Sequence, residues 1–230
     1  MKNKINFGTV IIYYVIAVIC RYAAVKTELL VHVESEYLKI LLRGIGPAIG
    51  AFATIKICSL SNSMSLKGIY KNAIVPFAVF WILPVVLISG IYYITLGKFP
   101  ILLMFTIVVY GLLEEIGWRG FLQEQLKSLP AFYSTVIIAV LWFAWHLNFE
   151  MSSGNLLFLG IIFFGTWGIG KVYSKTGCLL AVAGVHSLNN FFVKGIHQTE
   201  LILILVLLAI WIIFIIVYDR KTKVTATQNN

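Results

Sequence analysis

The sequence predicts an all-α, polytopic transmembrane bundle of about eight spans with both termini on the cytoplasmic side. Composition is the first observation. Of 230 residues 60% are hydrophobic and 12% charged, against roughly 45–50% and about 25% in an average soluble domain. The second is patterning: the apolar residues arrive in long blocks, and a span needs about 17–25 of them. Helices are the choice for such blocks, because lipid offers backbone groups no outside partner. The third is the placement of the basic residues between the blocks.

In chain order the expected spans are Gly8–Val25, Leu38–Ile55, Ile74–Leu96, Ile101–Gly117, Ala131–Leu147, Leu156–Tyr173, Cys178–Val193 and Leu201–Tyr218. The first follows Lys2 and Lys4, as a signal peptide would. Its length, Arg21 near its end and the lack of a small-residue cleavage site favour a span. With the N-terminus inside, Lys2, Lys4, Lys56, Lys67, Lys71, Arg119, Lys127, Lys171, Lys175, Arg220, Lys221 and Lys223 share one side. The other side holds Lys26, Lys98 and Lys194, while Arg21, Lys39 and Arg43 fall at or inside span ends. That asymmetry places both termini in the cytoplasm. Residues 1–230 read as a single transmembrane domain, with a polar tail at 221–230 expected to be disordered. The expected location is a cell membrane, the bacterial plasma membrane first among candidates.

Net charge is +9, yet the basic residues form no tract, which argues against a nucleic-acid partner. Cys20, Cys58 and Cys178 are far apart with no C-x-x-C, and read as small apolar span residues rather than a disulfide framework.

The acidic residues point to a site. Glu28, Glu34, Glu36, Glu124, Glu150, Glu200 and Asp219 occupy loops or span ends, whereas Glu114 and Glu115 continue an apolar run. A charge at the bilayer centre costs roughly 2.5–3.5 kcal/mol on insertion scales, and intramembrane ionisable groups are functional by default. Glu115 and Arg119 stand at i, i+4 with the acid first, the favoured order for a same-face ion pair. Glu114 lies about 100° around the helix. We therefore expect Glu115 and Arg119 to brace the helix and Glu114 to act as a general base; a structural ion pair beside an interfacial carboxylate is the alternative. His146 lies near the end of the fifth span. His186 and Asn190 share one face of the seventh, with Asn189 close by, and suit either an oxyanion site or inter-helix hydrogen bonding.

The segments Glu114-Glu115-Ile116-Gly117-Trp118-Arg119, Trp142 to His146 and His186 to Asn190, in this order, resemble the CAAX protease and bacteriocin-processing (Abi) family, related to the Ras-converting CAAX endopeptidase. The resemblance covers about residues 101–193. It implies an eight-helix intramembrane endopeptidase in which Glu114 and His146 activate water and His186 and Asn190 hold the oxyanion. The family usually has Phe where this chain has Trp142, a departure expected to affect packing more than chemistry. No cofactor is assigned; if zinc is bound, Glu114, His146 and His186 are its ligands, although the chain has no H-E-x-x-H. The expected partners are the bilayer and a membrane-associated peptide or protein: a bacteriocin precursor, a signalling peptide or a membrane protein. A non-enzymatic bacteriocin self-immunity or partner-binding protein on the same scaffold is the competing reading. A transporter or proton relay is disfavoured by the lack of an inverted repeat.

One geometric demand follows. With the fourth span ending near Gly117, Glu114 lies toward the cytoplasm and His146 toward the outside, roughly 10 Å apart in depth at about 1.5 Å per residue. Continuation of the fourth helix through Gly120 toward Gln123 removes the mismatch.

Overall fold

Caps and breakers set the helix ends. In the computed structural model, residues 5–191 and 198–228 are described, with side chains for 5–191 and 201–220. Asn6 opens α1 (Phe7–Lys26), its side chain accepting from the Gly8 and Thr9 amides. Ser35 caps α2 (Glu36–Gly44), and Pro47 near the start of α3 (Gly46–Ile57) divides the expected second span into two helices bent by 45°. Helix α4 (Ile74–Leu96) carries Pro84, preceded by a π-helical stretch at Ala78–Ile82, and ends at left-handed Gly97. Then come α5 (Ile101–Gln123), α6 (Ala131–Trp145), α7 (Ser153–Thr176), α8 (Leu179–Asn190) and α9 (Gln198–Gln228). No strand occurs among the described residues.

Five of these helices are long and apolar enough to cross a membrane, or six when the bent pair α2–α3 counts as one. Helices α6 and α8, at 15 and 12 residues, rise about 22 Å and 18 Å, short of a hydrocarbon core of about 30 Å. They account for the difference from eight. Helix α5 does run on to Gln123, and α9 continues to Gln228, so the described part of the tail is helical where disorder was expected. Arg119 is fully buried in α5 and so leaves the set of side-marking loop residues. Lys2, Lys4, Lys194 and the seventh span's end at Val193 lie outside the described residues.

Two apolar clusters share the helices. Phe80, Trp81, Val85 and Ile88 of α4, Met104 and Val108 of α5, Ala181 and Ala183 of α8 and Trp211 of α9 form one. Tyr13 and Ala17 of α1, Ala51 of α3, Trp118 and Phe121 of α5, Trp142 and Trp145 of α6 and Ile162 of α7 form the other. Both draw on α5 and α8, so the middle of α5 lies where the two cores meet. Outward side chains such as Ile74, Ile94 and Phe164 are apolar and more than two-thirds exposed, as a lipid-facing surface requires.

Small residues let the backbones approach. A β-carbon on Gly50 would sit 2.7 Å from the Tyr13 carbonyl oxygen, and one on Gly46 2.7 Å from that of Ala17. This four-residue spacing seats α3 against α1. Gly117 is tighter still: a β-carbon there would run into Pro47 and lie 2.6 Å from the Tyr13 hydroxyl. Gly117→Ala is therefore expected to destabilise the protein by about 1–3 kcal/mol, the range for overpacking. Gly160→Ala, on α7 with nothing within 4 Å, is expected to be neutral or stabilising by up to about 1 kcal/mol. Reversible unfolding in bicelles measures both, and equal behaviour would contradict the close approach of α3 and α5.

Candidate active site

The site begins where α5 changes its winding. Its α-helical part ends at Glu115, and Ile116–Gln123 is π-helical; such insertions widen the helix and concentrate at functional sites. Two i, i+4 pairs cross this junction side by side. Arg119 donates through one terminal guanidinium nitrogen to Glu115 Oε1 at 3.0 Å, and Trp118 Nε1 donates to Glu114 Oε2 at 3.3 Å. The two carboxylates thus face different partners.

Glu115 is 0% exposed and serves two cationic or donor groups at once. Its Oε1 also meets His186 Nδ1 at 2.6 Å, tying α5 to α8. Arg119 reaches the Thr166 carbonyl oxygen on α7 at 3.5 Å, and its guanidinium lies 4.9 Å from the Trp142 ring centroid. One buried ion pair therefore touches α5, α6, α7 and α8. Losing either partner strands a charge in an apolar interior, a cost of about 3–5 kcal/mol.

Glu114 takes no part in that pair. It is 1% exposed, and its Oε2 accepts a second bond, from Trp142 Nε1 at 2.8 Å. Tyr110, one turn earlier on α5, lines the same cavity as Glu114. Trp142 is thus a chemical neighbour of the acid and not merely packing, which corrects the expectation drawn from the family's usual Phe. A phenylalanine has no N–H to give.

His146 sits at the C-cap of α6. Its Nδ1 lies 2.8 Å from the Trp142 carbonyl oxygen. Because that oxygen can only accept, Nδ1 carries the proton and Nε2 keeps its lone pair. The next residue, Leu147, is left-handed with φ 56°, a strained conformation for leucine. Asn155 at the start of α7 holds the loop, its Nδ2 donating to the Asn148 and Glu150 carbonyl oxygens at 3.1 and 2.9 Å.

Glu114, His146, His186, Asn189 and Asn190 line one cavity of about 330 Å³, together with Tyr110, Trp142 and Phe158. The extension of α5 beyond Gly117 supplies the depth that this meeting requires. His186 is constrained further than the sequence indicated. With Nδ1–H committed to the Glu115 carboxylate, its Nε2 donates a hydrogen bond only when the ring carries both protons. Among the described residues, no group of three His, Cys, Asp or Glu side chains is arranged to hold a metal ion.

Tyr110 and Trp118 were within reach of sequence reasoning, since they flank Glu114 at i−4 and i+4. Trp142's bond to Glu114 depends on tertiary packing and left no local signal, whereas the Asn155 clasp is local, closing on carbonyls five and seven residues earlier. Trp142→Phe keeps a ring and removes only the donor. It is expected to lower the unfolding free energy by about 1.5–3 kcal/mol, the range for a hydrogen bond to a charged group; unchanged stability in equilibrium unfolding would contradict the bond.

Residues 96–192 match the family model described as Type II CAAX prenyl endopeptidase Rce1-like. No curated protein and no solved structure shows significant similarity to the chain. The matched segment holds Glu114, Glu115, Arg119, His146, His186 and Asn190, all the residues assembled above. Over that segment, the chain is similar to the Type II CAAX prenyl endopeptidase Rce1-like family.

Proposed function

We propose that the protein is an intramembrane endopeptidase that hydrolyses a peptide bond in a membrane-associated peptide or protein, using water activated by Glu114 and His146. One observation carries the reading. A buried carboxylate outside the ion pair, an imidazole with its Nε2 lone pair free of the Trp142 bond, and the side chains of His186 and Asn190 line the same cavity.

In this reading Glu114 accepts a proton from water as the oxygen attacks the scissile carbonyl carbon. His146 Nε2 orients the water through its lone pair. The developing oxyanion receives hydrogen bonds from doubly protonated His186 and from the Asn190 amide; donors of this kind are worth about 2.7–4 kcal/mol each in the transition state. Collapse of the tetrahedral intermediate breaks the C–N bond, and the proton held on Glu114 passes to the leaving amine. The two indole donors hold the Glu114 carboxylate in place, and Glu115 does the same for His186.

The cavity wall fits a lipid-modified substrate of the kind the family's description names. Phe158, Ile161 and Ile169 of α7 and Leu201, Ile204 and Leu208 of α9 give it an apolar lining. A prenyl chain placed there gains about 0.8 kcal/mol for each buried methylene. In this reading both termini face the cytoplasm, as the basic-residue asymmetry of the sequence suggests.

The test is a farnesylated CAAX-type peptide with an internal quencher, offered to purified protein in lipid nanodiscs. Glu114→Gln is expected to abolish cleavage with a wild-type unfolding midpoint. Glu115→Gln is expected to lose about 3–5 kcal/mol of stability, since it leaves Arg119 unpaired. The same profile of activity and stability in both variants would contradict the division of roles. Activity lost on chelation and restored in step with stoichiometric zinc would overturn activation by side chains alone. Binding of the peptide by a stable wild-type protein that never cleaves it would favour the non-enzymatic reading.

A further inference from the structure

Helix α7 is a wall between two cavities. Ile161, Gly165, Gly168 and Ile169 line the one that holds Glu114 and His146. Thr166, Trp167, Gly170, Lys171 and Ser174 line another, of about 500 Å³, which shares no lining residue with the first. The turn after α5 and the first two turns of α6 complete it. Trp167, Lys171 and Ser174 stand at i, i+4 and i+7, one stripe of α7.

The mouth of this cavity favours an anion. Glu124 is the one carboxylate in the lining, and Lys127 pairs with it at 3.2 Å. Lys171 has no carboxylate partner among the described ion pairs, so two lysines and one glutamate leave one net positive charge. Helix α6 begins after Pro130, and no side chain caps the amides of its first turn. Those N–H groups and the positive end of the helix dipole add to the field of the lysine. Gln123 donates to the Gly170 carbonyl oxygen at 3.3 Å and to the Ser174 hydroxyl at 3.1 Å, holding α5 and α7 at a fixed separation.

The rest of the cavity is larger and more apolar than a free anion needs. From Thr166 to Ser174 it follows α7 for about 12 Å, at about 1.5 Å per residue. Leu126, Leu129 and Ile138 line it, with Phe132 and Trp167, whose rings are more than half exposed on the outer surface. A tryptophan one turn from a lysine is the pattern of a membrane interface. Thr166 also lines the cavity. It is 2% exposed, and its hydroxyl is buried with no partner among the described residues. Buried polar groups normally have one.

We infer that this cavity is a binding site for an anionic glycerophospholipid, its phosphodiester between Lys171 and the start of α6 and its chains against Phe132 and Trp167. Basic pockets between membrane helices hold lipid phosphates in this way. A singly charged phosphodiester matches the single net charge of the lining, whereas a zwitterionic head brings a second cation toward Lys171. The glycerol and ester oxygens supply partners for the polar inner end at Thr166. The site does not depend on the endopeptidase reading, but it bears on the same framework: the Thr166 carbonyl oxygen receives Arg119 at 3.5 Å. A lipid bridging α5, α6 and α7 therefore supports the Glu115–Arg119 pair from the far side of α7.

The experiment titrates full-length protein in dodecylmaltoside micelles with dioleoylphosphatidylglycerol or dioleoylphosphatidylcholine and counts bound lipids by native mass spectrometry. One phosphatidylglycerol is expected to bind about tenfold more tightly than phosphatidylcholine. Lys171→Gln is expected to bring the two lipids within about twofold of each other, and Lys171→Arg to keep the preference. Lys56→Gln, outside the cavity lining, is expected to leave it unchanged. Equal affinities in the native protein, or a preference that survives Lys171→Gln, overturn the site. A preference lost equally in Lys56→Gln reports general attraction to a basic surface and also overturns it. Inorganic phosphate that raises the unfolding temperature of delipidated protein as much as phosphatidylglycerol does, at equal concentration, assigns the cavity to a soluble anion and removes the lipid. No turnover is read, so failure here leaves the endopeptidase reading standing, and absence of cleavage leaves the lipid site standing.

Discussion

Two adjacent carboxylates inside an apolar helical bundle are the constraint to which the rest of this structure answers. Each would cost several kcal/mol if left ionised and unpartnered, and inter-helix hydrogen bonds in membranes average only about 0.6 kcal/mol. Neutral bonds alone therefore cannot offset both. The molecule handles the two acids differently. Glu115 receives a full countercharge from Arg119 and a short bond from His186. Glu114 receives two indole N–H groups, which position a carboxylate without neutralising it. That difference gives the two acids, consecutive in sequence, distinct surroundings, and it underlies the proposed division between a structural and a catalytic acid.

The surrounding architecture serves this arrangement. The π-helical winding after Glu115 accompanies the two parallel side-chain pairs on one helix. Gly117 lets Pro47 and Tyr13 close against that widened stretch, and Gly111 does the same for α8, where a β-carbon would sit 2.7 Å from Ser187 Oγ. His186 is brought to Glu115 by that second approach. The breaks in the fold, at Pro47, at the π turn before Pro84 and at strained Leu147, lie on segments that pack on or bear site residues. Irregular backbone at membrane depth is tolerated where protein buries it or a cavity receives it.

Most of the helical layout was legible because hydropathy and capping act locally. The starts at Ile74, Ile101 and Ala131 fall where the sequence places them. Five or six helices meet the length and composition for a span against the eight expected, and the blocks at Ala131 and Cys178, apolar throughout, form the shorter helices Ala131–Trp145 and Leu179–Asn190 among the described residues. The Glu115–Arg119 spacing was readable from helical geometry alone. The role of Trp142 was not, because its partner Glu114 comes from another helix and nothing in the spacing announces it. Trp142 is the clearest case: as a substitution it reads as bulk, and in the fold it reads as a donor.

The division of labour between the two acids is most directly tested by double-mutant cycles on reversible unfolding in bicelles, combining Arg119→Gln with Glu115→Gln and with Glu114→Gln. The account predicts a coupling of about 2–3 kcal/mol between Arg119 and Glu115, as for residues in one buried network, and a much smaller one between Arg119 and Glu114. A coupling to Glu114 equal to or larger than that to Glu115 would contradict it, and would make Glu114 the structural acid.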